Sequence, residues 1–304
     1  MSPRPSLVVF AAGRGTRLRP LTGRTPKAMV PVLDVPMIDL ALARGHSARW
    51  GSQHVNVSGT SEGLRKHLAG HKEVAVLDEG TEPIGQAATL RRLLADLTDT
   101  VVTYNCDLVS DLDLEALVQS HTGGGKLCTL AVKEVAHGAD VAGTEEGLRL
   151  VDRRVEDTAG YLFLGAACFD RRVLEAIPAE EPLGLVAGVL RPALEAAEVD
   201  LFEHRGLTYD AGTPGRYLQA SLAALERAEL AVRPPGCVSA EGWYLGPGAQ
   251  AGRASLGRGA IVLAGSVVEP GARLRDCIVW PGSVVPAGQD LKQGIWFQRA
   301  WLPA

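Results

Sequence analysis

From the N-terminus to about residue 230, short apolar runs alternate with stretches whose apolar positions recur at helical spacing. Residues 7–10, 54–57, 74–77 and 101–104 read as buried strands, rich in Val and Leu and bounded by polar or turn residues. Helical patterns lie between them over 36–48, 60–70 and 86–97. Further strands are predicted near 127–134 and 160–168, and helices over 184–197 and 214–230. The last helix opens after Gly212-Thr213-Pro214, where Thr can cap the free N–H groups and Pro suits the first turn. Strand–helix alternation of this kind predicts an α/β fold: a mostly parallel sheet with helices on both faces.

At Arg233-Pro234-Pro235-Gly236 the pattern changes. Short units follow, such as Leu245-Gly-Pro-Gly-Ala, Leu256-Gly-Arg-Gly-Ala and Val268-Glu-Pro-Gly-Ala, in which an aliphatic residue returns about every six positions. That period predicts a short left-handed parallel β-helix over 233–304, following a first domain of 1–232. Its open ends leave backbone groups to be covered, so the coils are expected to serve end-capping or homo-oligomerisation.

Composition narrows the possibilities. The 304 residues are 46% hydrophobic and 22% charged, with a net charge of −4, which argues against a polyanion-binding surface and hence against nucleic acid as a partner. No apolar run reaches membrane-spanning length, and Met-Ser-Pro-Arg-Pro leads straight into the first strand. No secretory leader and no membrane contact are expected, and a cytoplasmic location follows. The 5 cysteines are scattered without a Cys-x-x-Cys pair, as expected of reduced thiols. His67 and His71 sit four apart on a predicted helix, but among Glu62, Arg65, Lys66 and Lys72 they read as a solvated face.

The chemistry concentrates in Phe10-Ala-Ala-Gly-Arg-Gly-Thr-Arg-Leu-Arg-Pro-Leu-Thr22, followed by Thr25-Pro-Lys-Ala-Met-Val-Pro31. A strand ends in a glycine-rich turn crowded with cations. Gly13 and Gly15 lack Cβ and let backbone N–H groups approach an anion closely. Arg17 offers a planar donor fork to phosphate oxygens, and Lys27 adds a point charge. A dinucleotide-binding turn would need a third glycine where Leu18 stands, and a P-loop would need Gly-Lys-Ser/Thr.

This string resembles the signature of the sugar-1-phosphate nucleotidyltransferases, Gly-x-Gly-Thr-Arg-Leu-x-Pro-Leu-Thr, then Pro-Lys. Within that family it is most similar to the mannose-1-phosphate guanylyltransferase-like branch. The resemblance implies a Rossmann-like nucleotidyltransferase domain and an Mg2+-dependent enzyme. Its substrates would be a nucleoside triphosphate and a sugar 1-phosphate, its products a nucleoside diphosphate sugar and pyrophosphate. It places Ala12, Gly13, Gly15 and Thr16 around the triphosphate, Arg17 on the departing β- and γ-phosphates, and Lys27 on the α-phosphate.

Three later segments resemble family motifs in the same order. Glu82-Pro-Ile-Gly-Gln-Ala-Ala-Thr-Leu90 is similar to Leu-Gly-Thr-Ala-x-x-Leu, which implies Gly85 against the nucleobase, with Gln86 replacing Thr. Asn105-Cys-Asp107 resembles Asn-Gly-Asp, implying Asp107 as an Mg2+ ligand, with Cys106 adding a side chain near the phosphates. Tyr209-Asp-Ala-Gly-Thr-Pro214 resembles the motif whose Asp is the second ligand, here Asp210. The Glu-Lys-Pro of many relatives is missing; Arg153 or Arg154 is the candidate substitute for its sugar-phosphate lysine, with a pair of exposed arginines on a strand edge as the alternative reading, and Gly165 aligns with the glycine of the sugar pocket.

Guanine would present two donors to a carboxylate, for which Glu79 and Glu82 are the candidates. The branch resemblance implies GTP and mannose 1-phosphate; dTTP or UTP with glucose 1-phosphate is the alternative. A non-catalytic nucleotide-sugar sensor is the rival drawn from the Cys106 and Glu-Lys-Pro departures. An acyltransferase role for the coils lacks a catalytic base, since no His follows His204.

Overall fold

In the computed structural model, which describes residues 4–44, 50–59, 61–145, 147–152, 156–230 and 232–304, the strand Ser6–Phe10 is buried at every position. It pairs in parallel with Ser52–Val57 on one side and Thr100–Asn105 on the other, and Val74–Asp78 extends the parallel part to an edge. Beyond Thr100–Asn105 the direction reverses. Gly160–Asp170 pairs antiparallel with that strand and with Cys128–Val135, and touches the antiparallel pair Val141–Thr144 and Gly147–Leu150. Val199–Glu203 runs parallel to Cys128–Val135. The result is the mixed, mostly parallel Rossmann-like sheet that the alternation predicts.

The expected strands and helices are present with shifts of a few residues, and two expectations need correction. The 74–77 run, read as a buried strand, is an edge strand in which Ala75 and Val76 are exposed. Its apolar composition reports strand propensity, which does not distinguish an edge from an interior position. The 184–197 helix begins as a π-helical stretch, Val186–Leu190, before Arg191–Glu195 continues it as α-helix. The Arg191 N–H closes the wider turn on the Val186 carbonyl, and Pro192 then fits the first turn of the α-helical part.

Contacts divide the chain into two compact units, Met1–Arg14, Ala41–Leu108 and Leu112–Gly206 forming the first, and Gly15–Leu40, Val109–Asp111 and Leu207–Ala304 the second. The composition change at 233 therefore falls inside the second unit. In the first, Val8, Phe10, Leu130 and Phe169 of the sheet share a core with Leu90 and Leu93 of the helix Gln86–Leu93 and with Val189 and Leu190.

In the second unit short parallel strands stack in columns. Tyr244 pairs with Ile261, Ile261 with Ile278 and Ile278 with Ile295, while Val267 pairs with Val284 and Arg273 with Asp290 in two further columns. These columns are consistent with the expected β-helix. An antiparallel strand of the same chain covers each end of the first column: Cys237–Val238 lies on Tyr244–Leu245, and Ala300–Pro303 on Asp290–Phe297. End-capping is thus supplied within the chain.

Alternation along these strands divides their side chains between two cores. Ala260, Val262, Cys277 and Val279 pack with Val268, Val285 and Leu291 of the other columns. Ile261, Ile278 and Ile295 pack instead with Tyr217 and Leu218 of the helix Pro214–Glu226, and with Leu18, Leu21, Val30 and Val32 of the glycine-rich segment. A strand buried on both faces needs an unbroken apolar run, which is what Ala260-Ile-Val262 and Cys277-Ile-Val279 provide.

His121 offers a test of the first unit's core. It lies on the helix Leu114–Gly124, is buried, and sits 2.9 Å through Nδ1 from Thr129 Oγ1. Burial pushes its pKa below the ordinary 6.5, against the opposing pull of Asp170 and Asp200. Below pH 6.5 the unfolded chain binds a proton that the folded chain resists, so stability falls as the pH drops through this range. The melting temperature is expected to fall between pH 7 and pH 5, and less steeply in His121→Gln. Parallel melting curves for the two proteins would remove His121 from this account.

Candidate functional site

The first unit brings several predicted residues together at the carboxyl ends of its parallel strands, where an open α/β sheet places its ligand chemistry. Asn56, at the end of Ser52–Val57, accepts through Oδ1 from the N–H groups of Ala11 (2.7 Å) and Ala12 (3.4 Å). Ser58 Oγ donates to the Ala12 carbonyl at 2.9 Å. Ala12 was expected among the nucleotide contacts, yet both its backbone polar groups are engaged by the scaffold. Gly13 differs: it is exposed, and a Cβ there would meet no protein atom within 4 Å. The fold itself does not demand a glycine at 13.

Glu79 is the hub of this scaffold and went unrecognised as such in the sequence. Buried, it accepts through Oε1 from Asn56 Nδ2 (2.8 Å) and Thr89 Oγ1 (2.6 Å), and through Oε2 from the Ile84 N–H (3.1 Å). Its oxygens are thereby committed to holding the 79–84 loop and the helix Gln86–Leu93, which corrects the expectation that Glu79 reads a base. Glu82 is exposed and pairs with Arg14.

Gly85 has φ +91, and its Cβ would lie 2.3 Å from the Leu183 carbonyl oxygen. The Ala87 N–H also donates to that carbonyl, and the Leu183 N–H donates back to Ile84. This close backbone approach is enough to require glycine at 85. The motif's glycine therefore has a structural duty here, whatever lies on its other face.

Asp107 is half-buried in the turn between Thr100–Asn105 and Leu108–Ser110. The Tyr104 hydroxyl donates to the Leu108 carbonyl at 3.0 Å and the Cys106 N–H to the Phe10 carbonyl at 3.1 Å, so both sides of the turn are braced. Cys106 is buried. Asn105 accepts from Gln86 Nε2 at 2.9 Å. Gly165, with φ +87 in the irregular part of Gly160–Asp170, lies so close to Asn105 that a Cβ would come within 2.5 Å of its amide nitrogen. Gln86, Asn105 and Gly165 thus form one row. Arg153 and Arg154 lie outside the described residues.

The second unit holds the cations. Leu18 and Leu21 are buried in its core, and their descent leaves Thr16 and Arg17 exposed above the short 3-10 turn Thr16–Leu18. Gly15 starts that turn at φ +61, and its carbonyl accepts from the Leu18 N–H (3.0 Å) and Thr22 Oγ1 (2.7 Å). A Cβ at 15 would come within 2.9 Å of the Lys27 Cβ, so the lysine stem rests on the turn. Pro26 precedes a second 3-10 turn, Lys27–Met29, closed by the Met29 N–H to the Pro26 carbonyl at 2.8 Å. Several letters of the string have a structural job: two leucines anchor, Thr22 ties the turn, and Gly15 makes room for Lys27.

The two glycines predict opposite mutant behaviour. Gly15→Ala puts a Cβ into a left-handed conformation and against Lys27, and is expected to cost about 1–2 kcal/mol of stability. Gly13→Ala should leave the melting temperature unchanged and raise the KM for the nucleotide. Thermal melts and NTP titrations of both variants check this; a stable Gly15→Ala protein would contradict it.

Asp210 ends the short strand Thr208–Asp210, half-buried. Its Oδ1 accepts from the Gly212 N–H at 2.9 Å and its Oδ2 from Arg216 Nη1 at 2.7 Å. Thr213 caps the following helix, which fixes the backbone between the two residues. Asp107 and Asp210 both offer the hard carboxylate oxygens that Mg2+ takes, and Asp210 already accommodates a cation, so the donor chemistry suits that ion.

Comparison with known proteins points in the same direction. The nucleotidyl transferase family model matches residues 6–140. The mannose-1-phosphate guanylyltransferase of Mycobacterium tuberculosis is 26% identical over 92% of this chain and 81% of its own length. The mannose-1-phosphate guanylyltransferase catalytic subunit beta of Drosophila pseudoobscura is 26% identical over 69% of this chain, which spans 60% of that protein. Among solved structures, a Bacillus anthracis protein provisionally named glucose-1-phosphate thymidylyltransferase, crystallised with sucrose, superposes with a TM-score of 0.62 at 20% identity. The match covers 72% of this chain and 94% of that one. The sheet, the glycine-rich segment and these matches agree: residues 6–140 carry the nucleotidyl transferase match, and over most of its length the chain is similar to sugar-1-phosphate nucleotidyltransferases.

Proposed function

We propose that this chain transfers a guanylyl group from GTP to mannose 1-phosphate in the cytoplasm, releasing pyrophosphate, with Mg2+ as cofactor. The observation that carries the phosphate part is the glycine-rich segment: exposed Arg17 and Thr16 on a turn whose neighbouring leucines are buried, with Lys27 laid against Gly15. The names of the relatives support guanine and mannose.

The sugar phosphate is already an anion, so the reaction needs no protein nucleophile. Its oxygen attacks the α-phosphorus, and the bond to the departing pyrophosphate breaks on the opposite side. The protein's task is to offset repulsion between two polyanions and to align them. Arg17 serves the leaving phosphates and Lys27 the α-phosphate. Thr16 and the Gly13 and Gly15 backbone border the triphosphate, and Gly165 belongs to the sugar side. Asp107 and Asp210 would each hold Mg2+, which when bound supplies charge neutralisation at phosphate oxygens.

A matrix of nucleoside triphosphates against sugar 1-phosphates, read by pyrophosphate release, tests this. The highest kcat/KM is expected for GTP with mannose 1-phosphate. The name of the Bacillus anthracis structure favours dTTP with glucose 1-phosphate as the second reading. A maximum there would overturn the base and sugar while leaving nucleotidyl transfer intact. Silence in every well would favour the non-catalytic sensor.

A further inference from the structure

Asp210 ends the short strand that leads into the helix Pro214–Glu226. Its carboxylate is not open to solvent on equal terms at both oxygens: Gly212 N–H takes Oδ1, and the Arg216 guanidinium takes Oδ2 at 2.7 Å. Arg216 stands in the first turn of the helix Pro214–Glu226, and its side chain is 57% exposed. The opposing face of that helix is locked, with Tyr217 fully buried and its hydroxyl donating to the Pro31 carbonyl. The helix therefore fixes where Arg216 starts, while the side chain itself keeps the freedom to swing away.

A divalent cation bound to Oδ2 would sit about 2.1 Å from an oxygen that the guanidinium now contacts. Two cations on one carboxylate oxygen repel strongly at that separation, and an exposed ion pair is held by little energy. The metal and Arg216 are thus competitors for one atom. We propose that Arg216 is a positioning residue that stands in for the metal at Asp210, keeping the carboxylate oriented in the metal-free protein, and is displaced when the metal binds. This rests on the reading of Asp210 as a metal ligand.

The displaced guanidinium would remain in the first turn of the helix, beside the carboxylate that holds the metal. The exchange thereby links metal loading to a change in where this positive charge points. A lysine at 216 keeps a cation but loses the planar fork that matches a carboxylate. It should retain part of the competition, whereas a neutral side chain should retain none.

Mn2+ alone provides the probe, with free ion measured by electron paramagnetic resonance during titration of the full chain without nucleotide. Arg216→Gln is expected to bind Mn2+ about three- to fivefold more tightly than the wild type, the range that loss of an exposed ion pair allows. Arg216→Lys should fall between the two, and Asp210→Asn should weaken binding. Far-UV circular dichroism and melting of each variant show that the fold is retained; should Arg216→Gln fail to fold, Arg216→Lys carries the comparison. Equal or weaker Mn2+ binding in Arg216→Gln, with Asp210→Asn still weakened, overturns the competition and leaves the ligand role standing. Unchanged binding in Asp210→Asn overturns the ligand role itself and the proposal with it.

Discussion

Asp107→Asn is expected to lower kcat by about 100-fold or more, with the fold intact and the melting temperature little changed. Replacing a carboxylate oxygen by an amide nitrogen removes one negative charge and one hard donor while conserving shape. A triphosphate and a sugar phosphate approach each other as polyanions, and each unit-charge pair at 4 Å repels by about 1 kcal/mol in water and several-fold more where solvent is partly excluded. A magnesium ligand lost at this point leaves that repulsion less compensated in the transition state. The fold has little stake in the substitution. Tyr104 and Cys106 brace the turn through backbone acceptors that the mutation does not touch, and Asp107 itself is only half-buried. The check is a steady-state assay across Mg2+ concentrations. If the variant reached wild-type turnover at saturating Mg2+, the ligand role of Asp107 would be wrong.

Much of this architecture was legible in the sequence because the parallel strands are buried on both faces. Ser6–Phe10 is near-continuous apolar text, and Thr100–Asn105 sets β-branched and aromatic residues at Val101, Val102, Thr103 and Tyr104, which suits a central strand. The helix Leu114–Gly124 passed unnoticed for the opposite reason. Its second half, Gln-Ser-His-Thr-Gly-Gly, has weak helix propensity, and its buried His121 disguises the apolar stripe. The signals at its ends were present, however: Asp113 accepts from the N–H groups of Glu115 and Ala116, and Gly125 follows in the left-handed region at φ +73. The strands Val141–Thr144 and Gly147–Leu150 are short and glycine-bearing, which weakens any period-two pattern.

The coils show a subtler limit. A six-residue period reveals which side chains fill the interior, but Ile261, Ile278 and Ile295 lie one position off that pattern and pack with Tyr217 and the glycine-rich segment. The unbroken apolar runs Ala260-Ile-Val262 and Cys277-Ile-Val279 are its local trace. The same core contains Leu33, and the turn it belongs to is tied to the coils by Asp34, which accepts from the Ala264 N–H and the Tyr244 hydroxyl. Burial raises the Asp34 pKa against these hydrogen bonds. The coils therefore stabilise the segment that bears Arg17 and Lys27, a function that hexapeptide text alone does not suggest.

For the site, the string from Gly13 to Lys27 points to the cations, while the polar scaffold of the first unit was hidden. Asn56, Glu79 and Thr89 are ordinary polar letters separated by tens of residues, and only the folded chain shows them as one buried network. Glu79 illustrates the cost of reading a carboxylate by position. Its place ahead of Gly85 suggested a base contact, and its burial among three donors shows a scaffold role instead.

Arg17→Ala is expected to reduce kcat/KM by about 100- to 1,000-fold, while Arg19→Ala changes it by no more than about threefold. The pair is a matched comparison. Both arginines are exposed, both flank buried Leu18, and both substitutions remove the same charge from the same loop. A general loss of positive potential would affect them alike and would fade with added salt. A directed contact to the departing phosphates would not, because it depends on the fork geometry of one guanidinium held on the Thr16–Leu18 turn. Arg17→Lys separates geometry from charge: it should recover only part of the loss, since an ammonium is a point donor that cannot span two phosphate oxygens. The loss should also appear in kcat more than in the KM for the nucleotide, as charge accumulates on pyrophosphate only while the bond to it breaks. Equal effects at 17 and 19 would mean that the loop contributes field rather than a contact, and the assignment of Arg17 to the leaving group would have to be abandoned.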